Sequence, residues 1–309
     1  MSDVYAVPDE EAGYQTIIAA LDAGITMLNT GDFYGNGRNE LLIARAIKGR
    51  RNEVFLSVKA GALKSPKGEY IGFDMRPAAM KNYVAHSLTR LGTDYIDLYQ
   101  PSRVDPRVPI EETVGALADL VKEGYIRYIG LSEAGPASIR RAYAVHPITA
   151  HEVEYSLFGR GIEDGLLDEC RKLGIATVCY SVLAGGLLGG NYARGRQEAS
   201  MRDEMPRFQA GNVSINLALV EKLRPIAAAR GVTVAALSIA WVMAQGRDLV
   251  PLVGVRRPER LADALSAAEL QLTAQDLAEI NAAVPRSAVA GKHYAGFVQT
   301  MIDQERAVK

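Results

Sequence analysis

The sequence has few of the residues that build covalent or metal frameworks, and it has no excess of one charge. Its 309 residues include two cysteines and four histidines, and 35 basic residues nearly balance 36 acidic ones. Two cysteines are too few for a disulfide framework, and a balanced charge gives no electrostatic reason to bind nucleic acid or an anionic membrane surface. No apolar run approaches the roughly 18 residues of a membrane span, and the polar N-terminal stretch lacks a signal-peptide pattern. We therefore expect a cytoplasmic protein with no nucleic-acid and no membrane partner.

The sequence does contain a regular alternation of strand and helix patterns. Seven short apolar runs rich in β-branched residues predict strands, at 25–29, 54–59, 95–100, 125–131, 148–155, 175–183 and 249–255. Apolar residues at three- and four-residue spacing predict helices, at 11–23, 38–49, 76–91, 110–123, 136–144, 163–173, 214–229, 233–245 and 256–267. Four glycines just past such stretches indicate helix ends, namely Gly24, Gly92, Gly124 and Gly174. Cys170 and Cys179 lie within apolar runs, which predicts inert core thiols.

Strands that alternate with helices predict an α/β fold with parallel strands and right-handed crossovers. A doubly wound nucleotide-binding sheet would open with a G-x-G-x-x-G turn, and the nearest match, Gly35-Asn-Gly37-Arg-Asn-Glu40, lacks its third glycine. We therefore predict a (β/α)8 TIM barrel as one domain over residues 1–309. Residues 191–246 are an insertion before the last strand that contains a polar loop, Arg194 to Gly211, and residues 285–309 are a tail near the active-site face.

In such a barrel the active site lies at the carboxyl ends of the strands. Those ends include a tyrosine and a lysine on neighbouring strands, Tyr34 and Lys59, but no cysteine or histidine. The sequence therefore indicates neither a metal site nor a thiol nucleophile. A phenol is a poor acid at neutral pH, but a nearby ammonium stabilises the phenolate and lowers the pKa. Such a pair can donate a proton to a carbonyl oxygen while a hydride reaches the carbon.

Several motifs in order along the chain resemble those of the aldo-keto reductases. They are Asn29-Thr-Gly-Asp-Phe-Tyr34-Gly-Asn-Gly-Arg-Asn-Glu40, Val58-Lys59-Ala-Gly61, Arg90-Leu-Gly-Thr-Asp94-Tyr-Ile-Asp97, Gly130-Leu-Ser132-Glu133 and Glu154-Tyr155-Ser156-Leu. The resemblance covers nearly the whole chain from about residue 11. It implies a (β/α)8 barrel that reduces aldehydes or ketones with NADPH, an alcohol dehydrogenase type of activity, through a tetrad of Asp, Tyr, Lys and His.

Two positions depart from that tetrad. Tyr34 matches the family's acid and Lys59 its lysine, whereas Asn29 stands at the place of the aspartate and Ser102 at that of the histidine. We expect Lys59 to lack its countercharge, and Ser102 to hydrogen-bond a carbonyl without carrying a charge. His293, in the tail, is the one histidine that could replace the missing one. We favour a solvated surface position for it.

The resemblance also implies an NADP (NADPH) site. Tyr180 matches the aromatic residue that stacks on the nicotinamide, Ser132 and Glu152 occupy the places that bind its carboxamide, and Ser181 follows Tyr180. The family usually has Gln at the position of Glu152. The remaining cofactor positions are Leu183 and Gly185 in the pyrophosphate-covering loop, and Gly254, Arg256 and Arg260 after the last strand. The two arginines resemble those that bind the 2′-phosphate, and a helix N-terminus there favours phosphate. Ala264 replaces the family's Asn in the adenine contact.

Three functions remain open. The first is an NADP-dependent reductase of a small carbonyl substrate. The second is an NADP(H)-binding sensor or docking protein of the same fold with little or no turnover, and the third is a barrel lyase that uses Lys59 as a Schiff base. Loop and tail aromatics either line an apolar substrate pocket or merely pack; they are Tyr70, Phe73, His293, Tyr294 and Phe297.

One further expectation concerns the start of the chain. Family members begin with another strand, whose end resembles Ser2-Asp-Val-Tyr5. We therefore expect the first barrel strand to be missing, so that either Met1 is an internal start or another segment covers the open seam. Because unpaired strand edges associate readily, an open seam would favour self-association.

Overall fold

The computed structural model describes residues 9–190, 192 and 201–306 of the chain. Its strands are β1 Met27–Gly31, β2 Phe55–Ala60, β3 Ala62–Lys64, β4 Tyr70–Phe73, β5 Ile96–Pro101, β6 Ile126–Ser132, β7 Ala150–Glu154, β8 Ala176–Tyr180 and β9 Leu249–Pro251. Its α-helices are α1 Glu10–Asp22, α2 Arg38–Ala46, α3 Pro77–Leu91, α4 Ile110–Lys122, α5 Pro136–Val145, α6 Leu166–Lys172, α7 Ala210–Ala229, α8 Val234–Met243, α9 Leu261–Glu269, α10 Ala274–Ala283 and α11 Gly296–Arg306.

Seven of the strands form one parallel sheet in the order β1-β2-β5-β6-β7-β8-β9. They correspond one to one with the seven predicted strands, although β7, β8 and β9 are shorter than predicted. Helices follow the strands along the chain, as right-handed crossovers require. The sheet curls strongly. Its curvature is shown by the contact between Lys59 on β2 and Glu152 on β7, since β5 and β6 lie between these two strands. The curled parallel sheet with its helices is that of a (β/α)8 barrel, which confirms the predicted fold class.

The two ends of the sheet are β1 and β9, and each pairs on one side only within the part of the chain that the structure describes. The segment 2–5, where the preceding strand was expected to end, lies outside the described residues. Self-association through these edges stays a prediction.

Three local expectations were wrong. Residues 62–73 form an antiparallel hairpin of β3 and β4 instead of a plain loop. The helix α10 was not predicted at all, although its N-terminus has a capping box in which Thr273 and Asp276 bond each other's backbone N–H. The polar loop before α7 was expected to continue to Gly211, but 206–208 form a 3-10 turn and α7 begins at Ala210. Residues 191 and 193–200 of that loop lie outside the described part.

Local rules account for many of the element ends. Gly24, Gly92, Gly124 and Gly174 all have the positive φ expected of residues that end helices. Thr233 caps α8, and the helix is almost wholly buried against the sheet.

Cys170 and Cys179 are buried in α6 and β8, and burial raises the pKa of the Cys170 thiol to about 12. Their prediction as unreactive core thiols is consistent with this burial.

Among the described residues, no single helix is long and apolar enough to cross a membrane. One consecutive pair, α7 and α8, passes a length and composition test together but is bent by 86°.

Candidate active site

The carboxyl ends of the strands bring three of the sequence-predicted site residues into direct contact. Asn29 is half-buried in the middle of β1, Lys59 lies near the end of β2, and Glu152 lies in the middle of β7. Lys59 and Glu152 are 4% and 3% exposed, so their charges are inside the barrel. Burying single charges is costly unless they are paired, and here they are paired with each other.

Lys59 has two short contacts. Its Nζ lies 2.9 Å from Glu152 Oε1 and donates a hydrogen bond of 2.5 Å to Asn29 Oδ1. The expectation that Lys59 lacks a countercharge is therefore wrong. The carboxylate comes from β7, across the interior, instead of from the adjacent β1.

The second oxygen of Glu152 is also occupied. Its Oε2 accepts a bond of 2.7 Å from Asn29 Nδ2 and one of 2.6 Å from Gln100 Nε2. Gln100, fully buried on β5, was given no role from the sequence. The signal that could have identified it is its position two residues before Ser102, since residues two apart on a strand share one face.

Tyr34 lies next to Lys59, as predicted. It opens a 3-10 turn directly after β1, and positive φ values at Gly35 and Asn36 make the turn tight. The Lys59 ammonium lies 5.2 Å from the centroid of the half-buried Tyr34 ring, and Phe33 packs edge-on against that ring at 4.8 Å. The phenol and the ammonium are thus held within the distance over which one charge alters the other.

Ser102 follows the end of β5 and is 2% exposed. Its backbone N–H donates to Ala60 O at 2.8 Å, which continues the strand ladder, but its hydroxyl has no hydrogen-bond partner among the described residues. A buried hydroxyl without a partner costs free energy unless a ligand or water satisfies it. Ser102 can therefore donate to an oxygen of a bound molecule.

Asp32, between Asn29 and Tyr34, has a strongly perturbed carboxyl group. Burial and, to a smaller extent, the nearby Glu40 carboxylate raise its pKa to about 7, against the opposing effect of Arg90. Arg90 is bonded instead to Glu40, at 2.5 Å. One oxygen of Asp32 is shielded from solvent without a partner among the described residues.

The residues expected to face the nicotinamide lie at the ends of β6, β7 and β8. Ser132 is buried and is paired in register with Glu152. The Tyr180 hydroxyl donates to Glu133 Oε1 at 2.7 Å, and burial raises the pKa of Tyr180 well above its usual value. Ser181 has a positive φ of 58°, and its hydroxyl is buried without a partner among the described residues.

The predicted pyrophosphate-covering loop follows β8. Leu183 precedes Gly185, which has a φ of 67° and whose carbonyl accepts a bond of 2.6 Å from Arg202 Nε. A Cβ at Gly185 would lie 2.8 Å from the Phe208 ring, so only glycine fits both the backbone conformation and the space.

Arg256 and Arg260 follow β9 along the chain and are not among the residues that contact Lys59. Both are exposed, as is Gly254, and neither arginine forms an ion pair within the described residues. Arg260 ends a 3-10 turn that leads into α9, where free backbone N–H groups and the helix dipole favour anions.

The expected surface position of His293 is wrong. The residue is 3% exposed and its ring packs edge-on at 6.3 Å from Tyr180. Its Nδ1 is 3.3 Å from Glu154 Oε1, which also accepts a bond of 3.0 Å from Arg207 Nη1. Burial lowers the His293 pKa, and Arg207 lowers it further, against the opposite effect of Glu154. His293 therefore lies beside Tyr180 and Glu154, the last residues of β8 and β7.

The two loop aromatics, Tyr70 and Phe73, have different surroundings. Tyr70 is 45% exposed and approaches Phe33 edge-on at 6.1 Å, so the hairpin reaches the Tyr34 turn. Phe73 packs against the main core, which is a structural role. The side chain of Phe297 lies outside the described part. No group of three or more potential metal ligands exists among the described residues.

The fold and this site together define a parallel α/β barrel with a tyrosine and lysine pair at its carboxyl face. The chain belongs to the aldo/keto reductase family, whose model matches residues 2–285. It is 42% identical over 292 residues to a probable aldo-keto reductase of Glycine max, an alignment that covers 92% of this chain and 83% of the relative. It is 39% identical over 298 residues to the NADP(+) aldo-keto reductase yakc of Schizosaccharomyces pombe, covering 94% and 88%. Among solved structures, a glycerol dehydrogenase from Gluconobacter oxydans superposes with a TM-score of 0.83 at 30% identity, covering 91% and 88%.

Proposed function

We propose that this protein is an NADP-dependent oxidoreductase that reduces small aldehydes or ketones to alcohols, with Tyr34 as the general acid and Lys59 as its partner. The observation that supports it most directly is the Lys59 ammonium 5.2 Å from the Tyr34 ring centroid, inside a barrel of this family. An ammonium held next to a phenol stabilises the phenolate, which makes the phenol a better acid near neutral pH.

The described residues fit the cofactor. The buried hydroxyl of Ser181 has no protein partner, and Arg256 and Arg260 form no ion pair in the described part of the chain. These are a free polar group and two free cations in the region where a dinucleotide and its phosphates would be held. The name of the fission yeast relative states NADP(+).

Each step then has a residue to perform it. When bound, NADPH supplies a hydride to the carbonyl carbon. The Tyr34 hydroxyl donates its proton to the carbonyl oxygen, and the Lys59 ammonium stabilises the phenolate that remains. The unpartnered hydroxyl of Ser102 donates a hydrogen bond to the same oxygen, in place of an imidazole.

The non-catalytic alternative rested on the losses at Asn29 and Ser102. Because Lys59 has a carboxylate partner in Glu152, one of those losses is compensated, and turnover is the better supported function. A Schiff-base role would require Lys59 to leave its contacts with Glu152 and Asn29, and borohydride would then trap an adduct on Lys59.

The test is steady NADPH oxidation with a panel of small aldehydes and ketones. We expect turnover by the natural protein and a loss of about 100-fold or more in Tyr34→Phe. The matched control is Tyr125→Phe, because Tyr125 is exposed and precedes β6 at the opposite end of the barrel. Tight NADPH binding without turnover on the whole panel would instead support the sensor function.

A further inference from the structure

The position of Glu152 in the sequence suggests contact with the nicotinamide carboxamide, but its carboxylate also contacts the Lys59 ammonium. We infer that Glu152 is the positioning carboxylate of the site, which fixes the Lys59 ammonium against Tyr34 from across the barrel in a site where β1 provides an amide. This inference rests on the proposed function, since the positioned ammonium is the group that assists Tyr34.

The contacts of Glu152 support this role. Its carboxylate receives three bonds from three strands: from Lys59 on β2, from Asn29 on β1 and from Gln100 on β5. The residue is 3% exposed, so water does not compete for these bonds. A buried carboxylate with several donors is fixed in orientation.

A second buried carboxylate provides a structural comparison. Asp97 accepts from Arg51 at 2.7 Å and from Arg127 at 3.1 Å, and it is also 3% exposed. Asp97 is the second residue of β5, at the end of the strands opposite to the site. The two carboxylates therefore resemble each other in burial and pairing, but only Glu152 faces the reacting groups.

Asn29 and Glu152 form a complementary pair. The amide of Asn29 accepts from Lys59 through Oδ1 and donates to Glu152 through Nδ2. An aspartate at position 29 could accept from Lys59 but would place a second anion 2.7 Å from Glu152 Oε2. With one ammonium to compensate, two carboxylates at that distance repel each other. The site is thus built for one carboxylate and one amide, and the amide nitrogen of either residue can bridge to the other.

This pairing predicts that the carboxylate and the amide can be exchanged. In the double variant Asn29→Asp with Glu152→Gln, the ammonium keeps one carboxylate partner, now at position 29, and the amide nitrogen at position 152 donates to that carboxylate. Gln100 then turns its amide, so that its Oε1, which has no partner among the described residues, accepts from the same nitrogen. Each single variant breaks the balance, because Glu152→Gln leaves Lys59 without a carboxylate and Asn29→Asp provides two.

The experiment measures kcat, KM and the pH dependence of kcat for the natural protein, both single variants and the double variant. We expect Glu152→Gln to lower kcat by about 10- to 100-fold and to move the pH profile by about one unit. The double variant should regain kcat to within about five-fold of the natural protein, with its pH profile restored. Asp97→Asn is the matched control, which should lower the midpoint of thermal unfolding and leave the pH profile unchanged.

The midpoint of thermal unfolding of the protein without cofactor gives a second readout. Glu152→Gln should lower it by roughly 5–10 °C, because removing one partner of a buried ion pair leaves the other charge buried without a partner. The double variant should recover most of that loss. If no form reduces any carbonyl compound, the proposed function fails. The recovery of the thermal midpoint in the double variant then supports, by itself, that Lys59 needs one carboxylate partner at position 29 or 152. An unchanged kcat in Glu152→Gln would overturn the inference. So would a double variant whose kcat is no higher than that of Glu152→Gln. If no form turns over, a double variant whose thermal midpoint is no higher than that of Glu152→Gln would overturn it.

Discussion

The Lys59 ammonium lies 2.9 Å from Glu152 Oε1 although β2 and β7 are separated by two strands of the sheet. The contact exists because the sheet curls and both side chains point inward. It makes Lys59 a paired cation in a site whose neighbouring strand offers only the amide of Asn29. The charge pattern of the site therefore follows from the curvature of the fold as much as from the residues adjacent to Lys59.

The raised pKa of Asp32 predicts a pH-dependent cost in stability. Its folded pKa of about 7 lies above the usual 3.8, so the folded state binds more protons between these values and loses stability as pH rises through this window. We expect Asp32→Asn to be more stable than the natural protein at about pH 8 by roughly 2–4 kcal/mol, and this advantage to shrink by about 2 kcal/mol at about pH 5. Urea unfolding at both pH values measures it.

The matched control for Asp32 is Asp168→Asn, because Asp168 is exposed on α6. Its substitution should change stability by no more than about 0.5 kcal/mol at either pH. An Asp32→Asn effect of equal size at the two pH values would show that the carboxyl group is not titrating in this window.

Arg256 and Arg260 are predicted to select NADPH over NADH. Replacing both with glutamine removes two cations from the region before α9, so the Kd for NADPH should rise by about 10- to 100-fold. The Kd for NADH, which lacks the extra phosphate, should change by less than about three-fold. Fluorescence titration of both cofactors measures the difference.

Arg247→Gln is the control for this change in cofactor preference. Arg247 is exposed and precedes β9, at the end of the strand opposite to the site. An equal loss of affinity for the two cofactors in Arg256→Gln with Arg260→Gln would refute a specific role in 2′-phosphate binding.

The docking of the tail predicts the effect of one glycine substitution. Gly135 N donates to Glu305 Oε2 at 2.7 Å, and a Cβ at Gly135 would lie 1.6 Å from the backbone oxygen of Glu305. Gly135→Ala should therefore displace α11 from α5, and tryptic cleavage after Lys292 should accelerate by roughly ten-fold. Gly115→Ala, where a Cβ meets open space, should not accelerate it. Equal cleavage rates for the two variants would contradict the docking.

Much of the fold could be predicted because its signals are local. Apolar runs gave all seven sheet strands, and glycines of positive φ ended the helices where expected. The hairpin of β3 and β4 was missed because its strands have three and four residues, too few for a periodic pattern to stand out. The helix α10 had a capping signal at Thr273 that was overlooked.

The site was predictable in its members but not in its contacts. Strand-end position identified Lys59, and the resemblance to the family identified Asn29 and Glu152, but the ion pair between β2 and β7 depends on how far the sheet curls. His293 was misplaced for a similar reason, since its burial depends on the docking of the tail against Glu154 and Arg207. Contacts between elements distant in sequence are set by tertiary packing, which no local pattern encodes.

The most direct test of the account is a single turnover with bound NADPH and excess aldehyde, in the natural protein and in Tyr34→Phe. We predict that the rate of NADPH oxidation falls by about 100-fold or more in the variant, while the Kd for NADPH stays within about three-fold, because only the proton donor is lost. An unchanged rate of oxidation in Tyr34→Phe would contradict the assignment of Tyr34 as the general acid.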